Sequence, residues 1–333
     1  MRAAVLEDKE RFVVREVPEP VLENDEVLIK VQYCGICGSD LHVYEIGGGT
    51  GPGHEFSGDI VEVGPDVKGW GIGDRVAVMP RTSCGECYWC RRGEGFGLCE
   101  EFDVVLAQYE GAFRTYAKAK YGQLHKLPDE LSYEHATLIE PTTCALHAIR
   151  LSGMKEGDVV AVLGLGPIGQ LAARSAKALG AKAVYAAEKS QSRVELARDV
   201  ADEVINVNVA NPVDRILELT GGMGPDIVFE CAGNVSTTQE SIALVRKGGT
   251  IVVAGICSDA VEIPFGNIVL RGLTIKGFVG WSADNEYASA LNLIKDKKID
   301  VAPLLTCKMP LDEINEAFGK ALRGEGGKIL IKP

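Results

Sequence analysis

The sequence has no long hydrophobic run and no excess of positive charge. Its most apolar stretch, residues 159–169, contains three glycines and a proline and falls short of the ~18 apolar residues of a membrane span. Lys and Arg number 35 against 47 Asp and Glu, a formal net charge of −12. An acidic chain without a basic block is poorly suited to nucleic acid or an anionic membrane. We therefore predict neither a nucleic-acid partner nor a membrane association.

The sequence also lacks a signal-peptide pattern, an internal repeat and a low-complexity linker. Glu7 and Asp8 stand where a signal peptide would continue its apolar stretch. Charged residues make up 25% and apolar residues 46% of the chain, values that exclude a disordered chain. The 333 residues correspond to about two domains. We expect a soluble, cytoplasmic protein of two domains.

Ten cysteines are present, and four of them form a C-x2-C-x2-C-x8-C pattern at Cys84, Cys87, Cys90 and Cys99. A secreted disulfide framework is the first alternative, but it requires an oxidising compartment for which nothing in the sequence argues. Four thiolates in one short loop can surround a tetrahedral Zn²⁺ and leave no open position. The pattern therefore predicts a structural zinc site.

The first 140 residues have the patterns of short strands. Residues 26–33 alternate apolar and polar side chains, which is typical of a strand with one buried face. Further strands are predicted at 56–63, 74–79 and 112–117, separated by Gly- and Pro-containing turns. This spacing predicts a β-barrel-like domain.

The pattern changes after residue 141. Residues 159–163 form a continuous apolar strand, as expected for a central parallel strand, and a helical pattern follows it. Strands and helix-length segments then alternate, as in an α/β doubly wound sheet. The remaining predicted strands are 183–187, 203–206, 226–231, 250–254 and 273–278, and the tail is predicted as helices 285–298 and 311–322 and strand 328–331.

A glycine fingerprint, GLGPIG at residues 164–169, joins the first apolar strand to its helix. In this context Gly164, Gly166 and Gly169 permit a tight turn, and the helix N-terminus favours a pyrophosphate. Pro167 and Ile168 complete the motif.

Glu188 ends the next predicted strand, about 20 residues further on. A carboxylate there accepts hydrogen bonds from ribose hydroxyls and repels a 2′-phosphate, so NAD is predicted over NADP. Arg193 lies nearby in the sequence and could weaken that discrimination. The alternative for Glu188 is a solvated acid at the end of a strand.

Further metal-ligand residue types are spread along the chain at Cys37, His54, Glu55 and Glu140. Cysteine, histidine and carboxylate are all zinc ligands, and a catalytic zinc keeps one open position. The spacing alone leaves alternatives open: Cys34 and Cys37 could be core residues or a redox pair, and a lone histidine is often structural.

Together these motifs resemble the zinc-dependent medium-chain dehydrogenase/reductase family, and within it the polyol, butanediol and threonine dehydrogenases. The segments that carry the resemblance occur in the family's order, and they are CGSDLH at 37–42, GHEFSG at 53–58, GDRV at 73–76, the four-cysteine loop, Glu140-Pro141 and the glycine fingerprint.

The resemblance implies a GroES-like, β-rich catalytic domain of residues 1–143 and 281–333, with a Rossmann NAD-binding domain of residues 144–280 inserted between. It implies that Cys37, His54 and an acid hold a catalytic zinc, with Glu55 or Glu140 as the ligating acid and the other one orienting the zinc-bound water. Ser39 would take the proton of the substrate hydroxyl and His42 would pass it on. Relatives are homodimers or homotetramers, often joined along the last strand of the nucleotide domain, here 273–278.

The predicted function is oxidation of a polyol or other small secondary alcohol to the ketone, with two zinc ions per chain and NAD as hydride acceptor. Zinc lowers the pKa of a bound water from about 15.7 to about 7, and we expect a comparable effect on an alcohol. A butanediol or L-threonine 3-dehydrogenase is the alternative enzyme, although Thr142-Thr143 stands where threonine dehydrogenases carry Gly-Asn. Two further hypotheses are a non-catalytic sensor of zinc and nucleotide and a zinc-free quinone-reductase-like protein.

Overall fold

A computed structural model of the chain describes residues 1–47, 52–80, 83–93, 97–101, 111–280 and 284–333. Within these ranges the strands, in chain order, are β1 Arg2–Asp8, β2 Arg11–Glu16, β3 Glu26–Gly35, β4 Glu55–Val63, β5 Arg75–Val78, β6 Tyr116–Lys120, β7 Leu124–Lys126, β8 Val159–Leu163, β9 Ala183–Glu188, β10 Glu203–Asn206, β11 Ile227–Glu230, β12 Thr250–Val253, β13 Thr274–Gly277, β14 Leu305–Pro310 and β15 Lys328–Lys332.

The helices of the described residues, in the same order, are α1 Gly38–Ile46, α2 Tyr88–Arg91, α3 Tyr133–Ala136, α4 Ile139–Ser152, α5 Pro167–Ala178, α6 Gln191–Ala197, α7 Pro212–Leu219, α8 Val235–Leu244, α9 Phe265–Arg271, α10 Asp284–Lys295 and α11 Ile314–Leu322. None of the described helices is long and apolar enough to cross a membrane.

The chain divides into two units. Unit 1 comprises Met1–Glu140, Ser282–Lys297 and Val301–Pro333, and unit 2 comprises Pro141–Trp281 with Lys298–Asp300. The division near the middle of the chain falls within α4, as does the predicted boundary after residue 143. The other predicted boundary, at residue 281, lies outside the described residues.

Unit 1 is built on a mixed sheet in which the described strands follow the order β14-β15-β3-β4-β5-β7, and β6 also pairs with β3. Its central strand β3 is predominantly apolar and buries Val27, Ile29 and Val31. An aromatic cluster lies in the core. The Phe12 ring stacks on that of Tyr44 at 5.3 Å between centroids and meets the ring of Phe318 edge to face at 4.8 Å. The predicted β-rich domain is confirmed.

Unit 2 is a parallel sheet with the described strands in the order β10-β9-β8-β11-β12-β13. Counted from β8, this is the 3-2-1-4-5-6 order of a dinucleotide-binding fold. The side chains of β8 and β11 are almost all fully buried, as predicted for strands covered on both faces. The predicted α/β Rossmann fold is confirmed.

Several local predictions for unit 1 are wrong. Residues 112–115 lie outside any described strand, and β6 begins only at Tyr116. The chain also forms α1, β1, β2 and β14, which no sequence pattern had indicated. Helix α1 forms because Asp40 in its first turn accepts a 2.9 Å hydrogen bond from the N–H of Cys37, the residue before the helix.

Candidate active site and nucleotide site

Three predicted zinc ligands lie together in unit 1. Cys37 precedes α1, whereas His54 and Glu55 lie at the start of β4. One ligand atom from each of the three residues lies within 4.8 Å of the other two. Thiolate, imidazole and carboxylate at such separations fit one tetrahedral zinc with a position left for a fourth ligand. The donor set of these residues therefore suits a catalytic metal.

Asp40 contacts both Cys37 and His54 of this cluster, a role that was not predicted from the sequence. It is 3% exposed, and it accepts hydrogen bonds from the N–H groups of Cys37 and Gly53, each 2.9 Å long. The Nδ1 atom of His54 lies 3.5 Å from its Oδ1. A carboxylate at Nδ1 orients the ring and leaves Nε2 for a metal.

The electrostatics of the cluster favour a cation. Burial by itself raises the pKa of Asp40, but His54 and the two backbone N–H groups outweigh it, so the pKa is lowered. Burial likewise disfavours the charged form of His54, yet Asp40 and Cys37 raise the pKa of His54 well above its ordinary value. A group that holds a proton this firmly lies in a negative field, and a zinc ion would compete with that proton.

Lys328 is a second residue of the site whose role was not predicted from the sequence. It lies on β15 near the end of the chain, is 1% exposed, and donates to both carboxylate oxygens of Glu55 at 2.7 and 2.5 Å. A third bond of 3.0 Å reaches the carbonyl oxygen of Ile36, the residue before Cys37. Lys328 thus fixes the Glu55 carboxylate, although a carboxylate has lone pairs left for a metal. No sequence signal identifies it, because it lies 273 positions from its partner.

Glu140, the other candidate acid, is 6% exposed at the start of α4. Burial raises the pKa of Glu140 to about 7, with Glu55 and Asp40 adding to the effect and His54 and Lys328 opposing it. These interactions place Glu140 in the field of the cluster, although it is not one of the three grouped ligands. A carboxyl group with a pKa near neutrality can exchange protons with a nearby water.

Ser39 and His42, the predicted proton relay, are both exposed on α1. Residues three positions apart are neighbours on a helix surface, so the two side chains share one face just beyond Cys37. This placement is compatible with a relay that connects the cluster to solvent.

The four predicted structural ligands, Cys84, Cys87, Cys90 and Cys99, also come together. Sulfur atoms bound at about 2.3 Å around a tetrahedral zinc lie about 3.8 Å apart. Here the Cys84 and Cys90 sulfurs are 3.8 Å apart and those of Cys87 and Cys90 are 3.4 Å apart. No disulfide joins any of the ten cysteines in the structure, which contradicts the disulfide alternative.

The electrostatics of this loop favour a thiolate at Cys84 and Cys87 but not at Cys90. The N–H groups of Glu86 and Cys87 donate to the Cys84 sulfur at 3.4 Å. Backbone N–H groups, Glu100 foremost, lower the pKa of Cys87 to about 6. Burial and the neighbouring thiols raise the pKa of Cys90 to about 11. Without a metal, the thiol of Cys87 is therefore more acidic than that of Cys90, and its thiolate is available as a first ligand.

In unit 2 the glycine fingerprint forms the predicted turn between β8 and α5. Gly164 has φ +92°, and a Cβ there would meet Ala232 at 2.8 Å. A Cβ on Gly169 would lie 1.9 Å from the carbonyl oxygen of Gly164. Gly166 precedes the helix, Pro167 is its first residue and Ile168 its second. The backbone is therefore shaped to let a pyrophosphate approach the helix N-terminus.

Glu188 is at the end of β9 and is 6% exposed. Its carboxylate accepts the N–H groups of Leu165, Lys189 and Ser190 at 2.8, 2.7 and 2.9 Å, and so connects β9 to the glycine turn. Burial lowers the pKa of Arg193, and the charge of Glu188 partly offsets that effect. Glu188 and Arg193, which are both predicted to bind the cofactor, therefore interact electrostatically.

Comparison with known proteins agrees with this geometry. Residues 23–129 match the alcohol dehydrogenase GroES-like domain, and residues 167–296 match the zinc-binding dehydrogenase model. The chain is 33% identical to sorbitol dehydrogenase of Bacillus subtilis (strain 168), with 100% of this chain and 97% of that protein covered. It is 36% identical to (R,R)-butanediol dehydrogenase of the same organism, with 100% of both covered.

Among solved structures, a putative zinc-binding dehydrogenase from Sinorhizobium meliloti 1021 bound to NADP superimposes with a TM-score of 0.92 at 30% identity, covering 100% of this chain and 99% of the other. The fold and the two sites define a zinc-dependent oxidoreductase with a Rossmann NAD(P) domain that acts on alcohols. The chain belongs to the zinc-dependent medium-chain dehydrogenase/reductase family.

Proposed function

We propose that this protein oxidises a polyol or another small secondary alcohol to the ketone and transfers the hydride to NAD. The observation that carries the proposal is the cluster of Cys37, His54 and Glu55, with ligand atoms within 4.8 Å of one another. The identity of 33% to a sorbitol dehydrogenase over the whole chain supports the polyol class. The two units then correspond to a catalytic domain, predicted as 1–143 with 281–333, and a nucleotide-binding domain, predicted as 144–280.

In the proposed mechanism Cys37, His54 and Glu55 hold the catalytic zinc. When bound, the metal supplies Lewis acidity that makes the hydroxyl of the alcohol acidic near neutral pH. Lys328 hydrogen-bonds the ligating carboxylate of Glu55, as is usual for metal-bound acids. Glu140, with its pKa raised to about 7, would orient a water at this site before the substrate binds.

The proton of the substrate hydroxyl is proposed to reach solvent by way of two side chains of α1, Ser39 and His42. Ser39 would accept this proton while releasing its own hydroxyl proton towards His42, and His42 would pass a proton to solvent, as the exposed positions of both residues permit. Such a relay accelerates a reaction by roughly 10²–10⁴-fold. Cys84, Cys87, Cys90 and Cys99 would hold a second, structural zinc, because four thiolates leave no position for a substrate.

NAD is the proposed coenzyme because Glu188 presents a negative charge at the end of β9. Arg193 is the opposing influence, and the similar Sinorhizobium protein is bound to NADP. Steady-state kinetics with both coenzymes test the preference, and Glu188→Ser is expected to shift it towards NADP. A wild-type enzyme that prefers NADP would contradict the assignment of Glu188.

The protein is proposed to be a homodimer or homotetramer. Strand β13 is the edge of the parallel sheet among the described strands, and α9 has no buried residue. Phe265, Val269 and Leu270 of α9 are 73, 72 and 86% exposed, an apolar patch typical of an interface. Light scattering tests this, and a Val269→Glu, Leu270→Glu variant is expected to be smaller than wild type. We propose a cytoplasmic location, since ten cysteines that form no disulfide suit a reducing compartment.

A substrate panel on zinc-loaded protein tests the proposed reaction. Sorbitol, xylitol, 2,3-butanediol and L-threonine are offered with NAD, and nucleotide reduction is followed by absorbance. We expect turnover of polyols or other secondary alcohols and loss of turnover after metal removal. The 36% identity to butanediol dehydrogenase favours 2,3-butanediol as the second candidate substrate. Binding of zinc and nucleotide without turnover of any alcohol would instead support a sensor.

A further inference from the structure

The loop that follows β11 is held by one buried carboxylate, that of Glu230. The side chain is 0% exposed, and its Oε1 accepts three hydrogen bonds. The donors are the N–H of Ala232 at 3.0 Å, the N–H of Gly233 at 2.9 Å and the hydroxyl of Thr237 at 2.7 Å. The backbone oxygen of Glu230 also accepts the N–H groups of Ala254 and Gly255, at 2.8 and 3.0 Å. One residue thus fixes the turn after β11 and the end of β12.

The turn after β11 packs closely against the end of β12 and against the glycine turn after β8. A Cβ on Gly255 would lie 2.2 Å from the nitrogen of Gly233, and Gly233 itself has φ +66°. A Cβ on Gly164, in the fingerprint turn, would lie 2.8 Å from Ala232. A displacement of residues 232–233 therefore displaces the glycine turn, the end of β12, or both.

Glu230 is the last residue of β11, at the carboxyl end of the parallel sheet. Strands β8 and β11 are neighbours, and the sheet continues to β9 on one side and to β12 on the other. Dinucleotides bind at such a switch point, outside the carboxyl ends of the strands. The fingerprint turn after β8 suits the pyrophosphate, so the turn after β11 is left for the half of the dinucleotide that carries nicotinamide.

Glu230 differs from a purely structural carboxylate in the same strand connection. Asp226, just before β11, has donors for both oxygens: the N–H of Val159 at 2.7 Å and Nε of Arg246 at 2.6 Å. The Oε2 atom of Glu230 is buried and has no hydrogen-bond partner within the described part of the chain. A buried polar atom without a hydrogen-bond partner lowers the stability of the fold, so its presence suggests a functional role.

We propose that Glu230 is a positioning residue for the nicotinamide half of the coenzyme. It holds the turn after β11 in the binding conformation before the coenzyme arrives, which lowers the entropy cost of binding. The inference rests on the proposed use of a nicotinamide coenzyme and adds a residue that the glycine fingerprint does not contain.

Glu230→Ala tests the inference in the zinc-loaded, full-length protein. Titrations followed by fluorescence and calorimetry measure the affinities for NADH and for AMP, which lacks the nicotinamide half. We expect the Kd for NADH to rise about tenfold and the Kd for AMP to change less than about twofold. Glu230→Gln retains an acceptor for the three donors and is expected to restore NADH binding to within about threefold.

Asp226→Ala is the matched control, because it removes a carboxylate from the other end of β11. We expect it to lower the melting temperature and to leave the Kd for NADH within about twofold of wild type. If Glu230→Ala does not fold, Thr237→Val is measured instead; we expect a rise of about threefold in the Kd for NADH, which Thr237→Ser reverses.

Two results would overturn the inference while leaving the proposed function intact. One is wild-type NADH affinity in the alanine variant (or in Thr237→Val, where that variant replaces it), and the other is an equal loss for NADH and AMP, which indicates general unfolding. Failure of the wild-type protein to bind either NADH or NADPH would overturn the inference and the proposed coenzyme together.

Discussion

The two cysteine-containing sites of unit 1 are built in opposite ways. Cys84, Cys87, Cys90 and Cys99 come from one short segment, and backbone N–H groups donate to the sulfurs of Cys84 and Cys99. The Cys37 cluster draws on α1, β4 and the distant β15. The first site needs only its own loop to form, whereas the second needs most of the sheet of unit 1.

The charges of the two sites differ as well. Around Cys37 the chain buries three carboxylates, Asp40, Glu55 and Glu140, and balances them with Lys328 and His54. Burying charges is costly unless they are paired, and a divalent cation would be a further partner for these carboxyl groups. The carboxylates in the described part of the cysteine loop, Glu86, Glu100 and Glu101, are all exposed, which suits a purely structural metal. Substitutions at the two sites are therefore expected to differ in their effect on turnover.

Cys37→Ala is expected to have the largest effect. Removal of a ligand from the catalytic metal should lower kcat/KM by at least about 10³-fold, because Lewis acidity supplies several kcal/mol of the barrier reduction. The half-buried side chain is not part of the hydrophobic core, so the melting temperature should change little. Metal analysis is expected to show one zinc per chain in place of two. A variant that keeps most of its activity would contradict the proposed mechanism.

Ser39→Ala is expected to slow the reaction without removing metal. Loss of the proton acceptor should lower kcat about 100-fold, with the zinc content unchanged. Ser39→Thr retains a hydroxyl and should recover much of the rate, which steady-state kinetics measure. Equal rates for wild type and the alanine variant would exclude Ser39 from the relay.

Lys328→Met is expected to weaken the hold on the catalytic metal. Loss of the partner of Glu55 should increase the rate at which a chelator removes one zinc about 10–100-fold and lower kcat/KM to a similar extent. Lys328→Arg should restore part of both quantities. Lys308→Met is the control, because its ion pair with Glu134 lies at the surface and such pairs contribute little. Identical chelation rates in the two methionine variants would show that Lys328 does not support the ligand.

Cys87→Ser is expected to have the smallest effect on turnover and a large one on stability. It should lose one zinc and lower the melting temperature by about 5 °C or more, while kcat/KM at 25 °C stays within about twofold of wild type. Cys257→Ser, at a half-buried cysteine outside both clusters, should change neither quantity. A loss of activity as large as that of Cys37→Ala would mean that the two sites are not independent.

Sequence periodicity was a good guide to unit 2 and a poorer one to unit 1. Strands β8 and β10 begin and end where predicted: β8 is a continuous apolar run, and β10 is a four-residue segment centred on the β-branched pair Val204-Ile205. Helix α1 was missed because its nine residues are too few to show a convincing helical period, and their first turn depends on the Asp40 cap. The predicted strand at 112–117 was displaced because β6 takes its register from pairing with β3, from Tyr116 to Lys120.

Residue types and their spacing predicted the zinc loop and the glycine turn, since each chemistry accepts few side chains and requires short-range geometry. Cys37, His54, Glu55 and Glu140 became candidate ligands only through the resemblance to a known family, because their spacing alone left other roles open. The roles of Asp40, Lys328 and Glu230 emerged only in three dimensions. Each acts through burial or through contacts such as that of Lys328 with Glu55, 273 positions apart. Neither burial nor the pairing of distant charges leaves a periodic trace in a sequence, because both arise when sheets and turns from separate parts of the chain exclude water around the same few atoms.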